Sequence, residues 1–322
     1  MKHYLLILCI FSLLIKAIGQ DAKDDKYVLK MFGHTHYIEP KPILAENKIT
    51  IPFKRLDNLI LLDAIVDGIA GTFILDTGAP HLVLNQQYFK NAPQLASISG
   101  AGITGNISRI IQSKINVLSL GGIQFENVST DLIDLTHLEA KKGTAIFGLL
   151  GNNLFARFEV IIDYTQSNII LYYLNKKGDK IEQDSLASLI DQQIKIPLEI
   201  NQKVILIGGE INGKKLRFCL DTGAEINILS SNLSKKVMTE FKVLRVLNLV
   251  GASEKNTQAI LGNIKLLKVG HKEYEQVQAA LMNLESLTEV YGTYIDGMLG
   301  FDFLSRSKVA INYQQQVLRL WD

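Results

Sequence analysis

Thr72-Phe-Ile-Leu-Asp-Thr-Gly-Ala79 returns 145 residues later as Arg217-Phe-Cys-Leu-Asp-Thr-Gly-Ala224. In each copy an apolar run of strand type delivers one aspartate, Asp76 or Asp221, into a turn. The glycine two residues on, Gly78 or Gly223, allows a tight backbone path and the close approach of another chain segment. A single Asp-Thr-Gly carries little information. Two copies in register carry much more.

The register extends well beyond the motif. A shift of 145 lays Ile49–Ala79 over Ile194–Ala224 without a gap, and twelve of the 31 positions are identical, among them Pro52/Pro197, Ile60/Ile205, Gly68/Gly213 and Phe73/Phe218. After a net insertion of four the shift becomes 149, and Phe147-Gly-Leu-Leu-Gly151 lies over Asp296-Gly-Met-Leu-Gly300. Two copies of so long a unit imply a duplicated domain rather than a solenoid.

Apolar runs separated by turn signals read as strands: Ile49 to Phe53, Ile60 to Val66, Thr72 to Leu75, Ile115 to Leu120, Phe125 to Leu132, Val160 to Ile162 and Ile169 to Tyr173. Asp67-Gly68 and Asn212-Gly213 stand between apolar runs at matching places, a strong hairpin signal. Each Asp-Thr-Gly strand is therefore the returning arm of a hairpin. Helical periodicity is confined to short segments such as Asn232 to Thr239 and Ser185 to Ile190, so the expected fold class is all-β.

Lys2 and His3 precede an apolar run from Tyr4 to Ile15, and Ala17-Ile18-Gly19 offers small residues for a signal peptidase. Residues 1–19 are expected to be an export signal, since this run falls short of the ~20 apolar residues that span a bilayer. No stable membrane insertion is expected. Residues 20–48 form an N-terminal segment that adds one strand to a sheet edge, 49–174 a first lobe, 175–193 a charged linker and 194–322 a second lobe. A net charge of +2 with no basic block gives no support for nucleic acid as a partner. Outside the signal only Cys219 remains, on the strand before Asp221, and it reads as a small buried core residue. His34 and His36 lack the further ligands of a metal site and read as a solvated pair.

On these motifs the chain resembles retropepsin-like and pepsin-like aspartic peptidases, duplicated in one polypeptide. The resemblance rests on the two Asp-Thr-Gly-Ala loops with the apolar residues after them, on Leu149-Leu-Gly151 and Met298-Leu-Gly300, and on the closing strand pair of each unit. It implies two β-barrel lobes related by a pseudo-two-fold, with a cleft between them holding Asp76 and Asp221 as catalytic residues. It also implies that Thr77 and Thr222 bond to the opposite loop while Gly78 and Gly223 bring backbone N–H groups to the carboxylates. Gly100 and Gly102, and Gly251 in the second unit, are candidate tips of flaps over the cleft. The absence of a flap tyrosine favours the retropepsin-like subgroup.

The chemistry implied needs no cofactor and no metal. Two carboxyls in contact hold one proton, so one acts as base and the other as acid on a water and a peptide bond. The expected protein is an exported monomeric endopeptidase acting on polypeptide. The alternative is an inactive peptide-binding or interaction module of the same fold. Glu225 is expected either to meet a basic substrate group or to be solvated, and His81 to be a cleft wall or surface residue.

Overall fold

The computed structural model describes residues 5–6, 10–11, 39–102, 105–181, 193–201, 204–250, 256–285, 287–288 and 293–321. The chain is mostly β. Its first strands are β1 (Leu5–Leu6), β2 (Ile10–Phe11), β3 (Pro42–Leu44), β4 (Lys48–Pro52), β5 (Lys54–Leu56), β6 (Leu59–Val66) and β7 (Ile69–Leu75). Next come β8 (Leu82–Asn85), β9 (Ala96–Gly102), β10 (Gly105–Leu120), β11 (Ile123–Ile133), β12 (Gly148–Leu150), β13 (Phe158–Asp163) and β14 (Asn168–Tyr173). The second half holds β15 (Ile194–Asn201), β16 (Val204–Ile211), β17 (Lys214–Leu220), β18 (Asn227–Ser230), β19 (Phe241–Val250) and β20 (Asn256–Val269). It continues with β21 (Lys272–Met282), β22 (Gly297–Leu299), β23 (Lys308–Asn312) and β24 (Val317–Trp321).

Local chemistry fixes the hairpins that deliver the two aspartates. Asp67 and Gly68 have φ of 46° and 83°, and Asn212 and Gly213 have 49° and 70°, the left-handed pair that a two-residue hairpin turn demands. They bring Val66 opposite Ile69 and Ile211 opposite Lys214. Along β6 and β7 the pattern of burial puts Leu62, Phe73 and Leu75 inside.

In the first half β12 lies between β7, to which it is parallel, and β8, to which it is antiparallel. In the second half β22 lies in the same way between β17 and β18. The hydrogen-bonded order β2-β9-β10-β11-β8-β12-β7-β6-β5 makes one sheet, with β3 on β11 and β10 pairing back onto β6. The other sheet runs β1-β19-β20-β21-β18-β22-β17-β16-β15-β24-β23-β13-β14-β4. Its last six strands are drawn from both halves, and the junction is β13 against β23, from Glu159 opposite Asn312 to Ile162 opposite Val309.

One apolar cluster is shared by the two halves, with Phe73, Phe125 and Phe158 on one side and Phe218 and Phe303 on the other. Each such side chain, fully buried, contributes about 1.5–3 kcal/mol. Cys219 is wholly buried, in a second cluster with Ile228, Ala280 and Met298.

Several local expectations change. Ile115 to Leu120 is only the end of a 16-residue strand, β10, whose first part pairs with β9. Asn232 to Thr239 contains a single helical turn, Lys235–Met238, while Ser185 to Ile190 lies outside the described residues. A helix at Thr136–Lys142 was not anticipated, because only Leu138 of its seven residues is buried and so leaves no apolar stripe. At the start of the charged stretch 175–193, Leu174 bridges Lys180, and Asn312 Nδ2 donates to the Gly178 carbonyl at 2.9 Å. In the N-terminal segment, Pro42–Leu44 pairs with β11. His34 and His36 lie outside the described residues.

Candidate active site

Each aspartate sits where its hairpin strand ends, tied to the Leu-Gly strand beside it. The Asp76 N–H donates to the Leu150 carbonyl at 3.1 Å and the Asp221 N–H to the Leu299 carbonyl at 2.9 Å. From these anchors both side chains point to one place. The Gly78 N–H lies 2.8 Å from Asp76 Oδ1 and 3.1 Å from Asp221 Oδ1, so a single backbone donor touches both carboxyls. Ala79 N–H adds 2.9 Å to Asp76 Oδ1, and Gly223 N–H adds 2.8 Å to Asp221 Oδ1.

Only glycine permits this approach. A Cβ on Gly78 would stand 2.7 Å from Asp221 Cγ, and one on Gly223 would stand 2.7 Å from Asp76 Cγ. The backbone of each loop therefore packs directly on the carboxyl of the other.

The threonines form a closed cross-link. Thr77 N–H donates to Thr222 Oγ1 and Thr222 N–H to Thr77 Oγ1, each at 2.9 Å. Thr77 Oγ1 in turn donates to the Leu220 carbonyl at 3.0 Å, and Thr222 Oγ1 to the Leu75 carbonyl at 2.8 Å. All four bonds are buried, and each joins one half of the chain to the other.

Both aspartates are fully buried. Burial pushes the Asp76 carboxyl well above the usual carboxylate range, and the charge of Asp221 and a hydrogen bond with its carboxyl push it further. The N–H groups of Ala79 and Gly78 act in the opposite direction. Asp76 Oδ2 meets no fixed donor, which leaves the neighbouring carboxyl as its natural partner. One proton held between the two acids satisfies that oxygen and removes one of two like charges.

Around this pair the sequence left several residues unread. Asn152, just after Gly151, donates through Nδ2 to the Thr77 carbonyl and accepts at Oδ1 from the Tyr313 hydroxyl at 2.8 Å. It thereby fastens the first loop to the turn after β23. A polar pair following an apolar Leu-Leu-Gly run was the available signal. His81 is neither wall nor surface, being buried with Nε2 at 2.8 Å from Asp131 Oδ2.

Glu225 corrects both of its expectations. It is neither solvated nor open to substrate, because its side chain is 0% exposed and Oε1 is 2.6 Å from Lys142 Nζ. Burial of that carboxylate calls for a cation, and the helix Thr136–Lys142 supplies one from the other half. Of the flap candidates, Gly102 lies opposite Gly105 and Gly100 opposite Ile107 in the β9–β10 hairpin. Gly251 lies outside the described residues.

Comparison with known proteins agrees with this geometry. A family model described as aspartyl protease matches residues 62–154, and one described as gag-polyprotein putative aspartyl protease matches residues 207–306. Each half is thus similar to an aspartyl protease. Each match takes in one Leu-Gly strand, and the second also covers Asp221 while the first covers Asp76. A curated relative, DNA damage-inducible protein 1 of Candida glabrata, is 30% identical over 139 residues, 41% of this chain. The aligned part spans 30% of that relative's length. The matches are those of a protease. Among the described residues no cluster of histidine, cysteine and acidic side chains stands ready to hold a metal.

Proposed function

We propose that the chain is an endopeptidase in which Asp76 and Asp221 share one proton and activate a water for attack on a peptide bond. The observation that carries this reading is the Gly78 N–H lying within hydrogen-bond distance of both carboxyls. In the reaction the ionised carboxyl takes a proton from the water. The protonated one hydrogen-bonds the peptide carbonyl; as the tetrahedral intermediate collapses, the carboxyl that took the water's proton gives it to the leaving nitrogen, the C–N bond breaks, and the pair is left again with one proton. No covalent adduct with the enzyme is made. Thr77, Thr222, Gly78 and Gly223 keep the two acids in contact and supply N–H donors to them.

Two barrel-like lobes, one for each unit of a duplicated sequence, enclose the site in a monomer. Support comes from the matching placement of β12 and β22 and from β10 and β20 pairing back onto β6 and β16. The substrate is an extended polypeptide. The edges of β9 and β19 each accept a short strand of this chain, Ile10–Phe11 antiparallel on β9 and Leu5–Leu6 parallel on β19. A peptide strand added to such edges gains main-chain hydrogen bonds while its side chains enter flanking pockets. The apolar run Tyr4 to Ile15 supports export, after which these edges are free. The amino terminus of the protein recovered outside the cell, read by sequencing, checks the removal.

The deciding experiment is hydrolysis of an unfolded protein by the parent and by Asp76→Asn and Asp221→Asn. Each variant is expected to lose activity by at least about a thousandfold, the scale of removing a group that acts in proton transfer. Near-parent hydrolysis by either folded variant refutes the reading. A folded, inactive parent that still binds peptide would point to the interaction module.

A further inference from the structure

The carboxyl pair is not symmetric. Glu225 follows Ala224 directly after the second aspartate loop, while Pro80, which carries no charge, holds the matching place after Ala79. The Glu225 side chain is closed off from solvent and Lys142 is 5% exposed, so this ion pair, at 2.6 Å, is shielded from water. Lys142 is the last residue of the helix Thr136–Lys142, where a cation is also favoured by the helix dipole.

The contact belongs to a larger clamp. Lys142 Nζ also meets Asp57 Oδ2 at 2.6 Å, and the side chain of Asn58 donates to the Glu225 carbonyl at 3.0 Å. Asp57 and Asn58 form the turn between β5 and β6. On the same strand pair the Arg55 guanidinium lies 4.7 Å from the centre of the Phe301 ring, and the Phe301 N–H donates to the Ala224 carbonyl at 2.9 Å. The first half of the chain thus grips the second just past the Asp221 loop by a side chain, a turn and a cation over a ring.

We propose that Lys142 is a positioning residue for Asp221: it holds Glu225, and with it the second aspartate loop, against the first half of the chain, and it cancels the Glu225 charge beside the carboxyl pair. The proposal rests on the functional reading above. Of the charged groups around this clamp, Lys142 meets both Glu225 and Asp57, Arg55 stands over the Phe301 ring, and Asp221 lies four residues before Glu225 with Asp76 against it. Asp302, on the short helix Phe301–Leu304, is engaged with Arg306 at 3.0 Å. Lys142 touches the Glu225 carboxylate and carries the opposite charge.

Removing one member of this ion pair changes the charge of the clamp by one unit: without Lys142 it gains negative charge, and without Glu225 it loses negative charge while Lys142 keeps Asp57. A clamp one unit more negative discourages ionisation of the acids of the adjoining loop, so both limbs of the pH–rate bell move upward, and a clamp one unit less negative does the reverse. A purely structural strut would produce no such opposition in sign.

The test measures kcat and KM against pH for the parent, Lys142→Met, Glu225→Gln and the double variant, with folding checked by circular dichroism. Glu225→Gln is expected to move the bell down by about half to one pH unit and Lys142→Met to move it up by a similar amount, the scale of one nearby charge in a partly screened site. The double variant should return to the parent position. In both single variants kcat is expected to fall about tenfold with KM within about twofold, because the loop is displaced without loss of substrate contacts. If Lys142→Met fails to fold, the isosteric Glu225→Gln decides alone.

A folded Glu225→Gln with the parent's bell, or single variants that shift in the same direction, overturns the proposal. Asp221→Asn is run alongside. If it retains parent activity the functional reading itself falls. If it is inactive while Glu225→Gln behaves as the parent, only the role of Lys142 falls.

Discussion

Replacing Thr77 by valine preserves the shape of the side chain and removes one hydroxyl from the centre of the cross-link. That hydroxyl donates to the Leu220 carbonyl at 3.0 Å and accepts from the Thr222 N–H at 2.9 Å. Thr77 is 2% exposed, so water does not reach the groups left behind. A buried polar group stranded in this way costs about 1–3 kcal/mol, so two cost about 2–6 kcal/mol. The extra methyl recovers about 0.8 kcal/mol by burial, and a net loss of about 3 kcal/mol is expected. Thr77→Ser is the control, keeping the hydroxyl and losing one methyl at about 1 kcal/mol. Urea unfolding followed by circular dichroism at constant m-value gives both numbers. Thr77→Val should therefore be less stable than Thr77→Ser by about 2 kcal/mol. A valine variant whose midpoint equals or exceeds that of the serine variant would refute the assignment of those two bonds.

Two further outcomes follow from the same loops. Gly78→Ala places a Cβ 2.7 Å from Asp221 Cγ, closer than real contacts allow, and is expected to part the carboxyls and reduce kcat by about a hundredfold, the effect of a misplacement near 1 Å; hydrolysis within a few-fold of the parent would contradict it. Asp76→Asn should change how stability depends on pH. Because the folded carboxyl titrates well above its ordinary value of 3.8, the stability it contributes is fully present below that value and is lost as pH rises through the folded pKa. The neutral asparagine removes this loss, so the thermal midpoint of the variant should exceed the parent's at pH 7 and not at pH 3; equal differences at the two pH values would exclude the raised titration.

What could be read in advance was what is written locally. The Asp-Gly and Asn-Gly turns announce themselves because a left-handed pair of residues is a property of the turn alone. The aspartate loops were legible because the same eight-residue pattern occurs twice. Lys142 and Glu225 are 83 residues apart, and neither carries a local mark of the other; a charged residue looks the same in a sequence whether solvent or a buried partner awaits it. Asn152 meets Tyr313 across 161 residues and was opaque for the same reason. The helix Thr136–Lys142 gave fainter signs that propensity reasoning passes over, two lysines in its last turn and Gly143 beyond it at φ 65°. Long β10 was under-read because Gly105 to Lys114 mixes polar and apolar residues, and its pairing with β9 is the reason it is extended.

The sheet shared by the two halves bears on the order in which the protein is made. β15 opens the second half, yet its neighbour on one side is β24, at residues 317–321, and β24 in turn lies against β23, which joins β13. A growing chain therefore carries Asp76 and Asp221 long before the strands that seat the halves together have left the ribosome. Without Val317–Trp321 the sheet would have a gap between β15 and β23, so a chain cut just before Val317 would lose the strand that joins the opening of the second half to the shared part of the sheet.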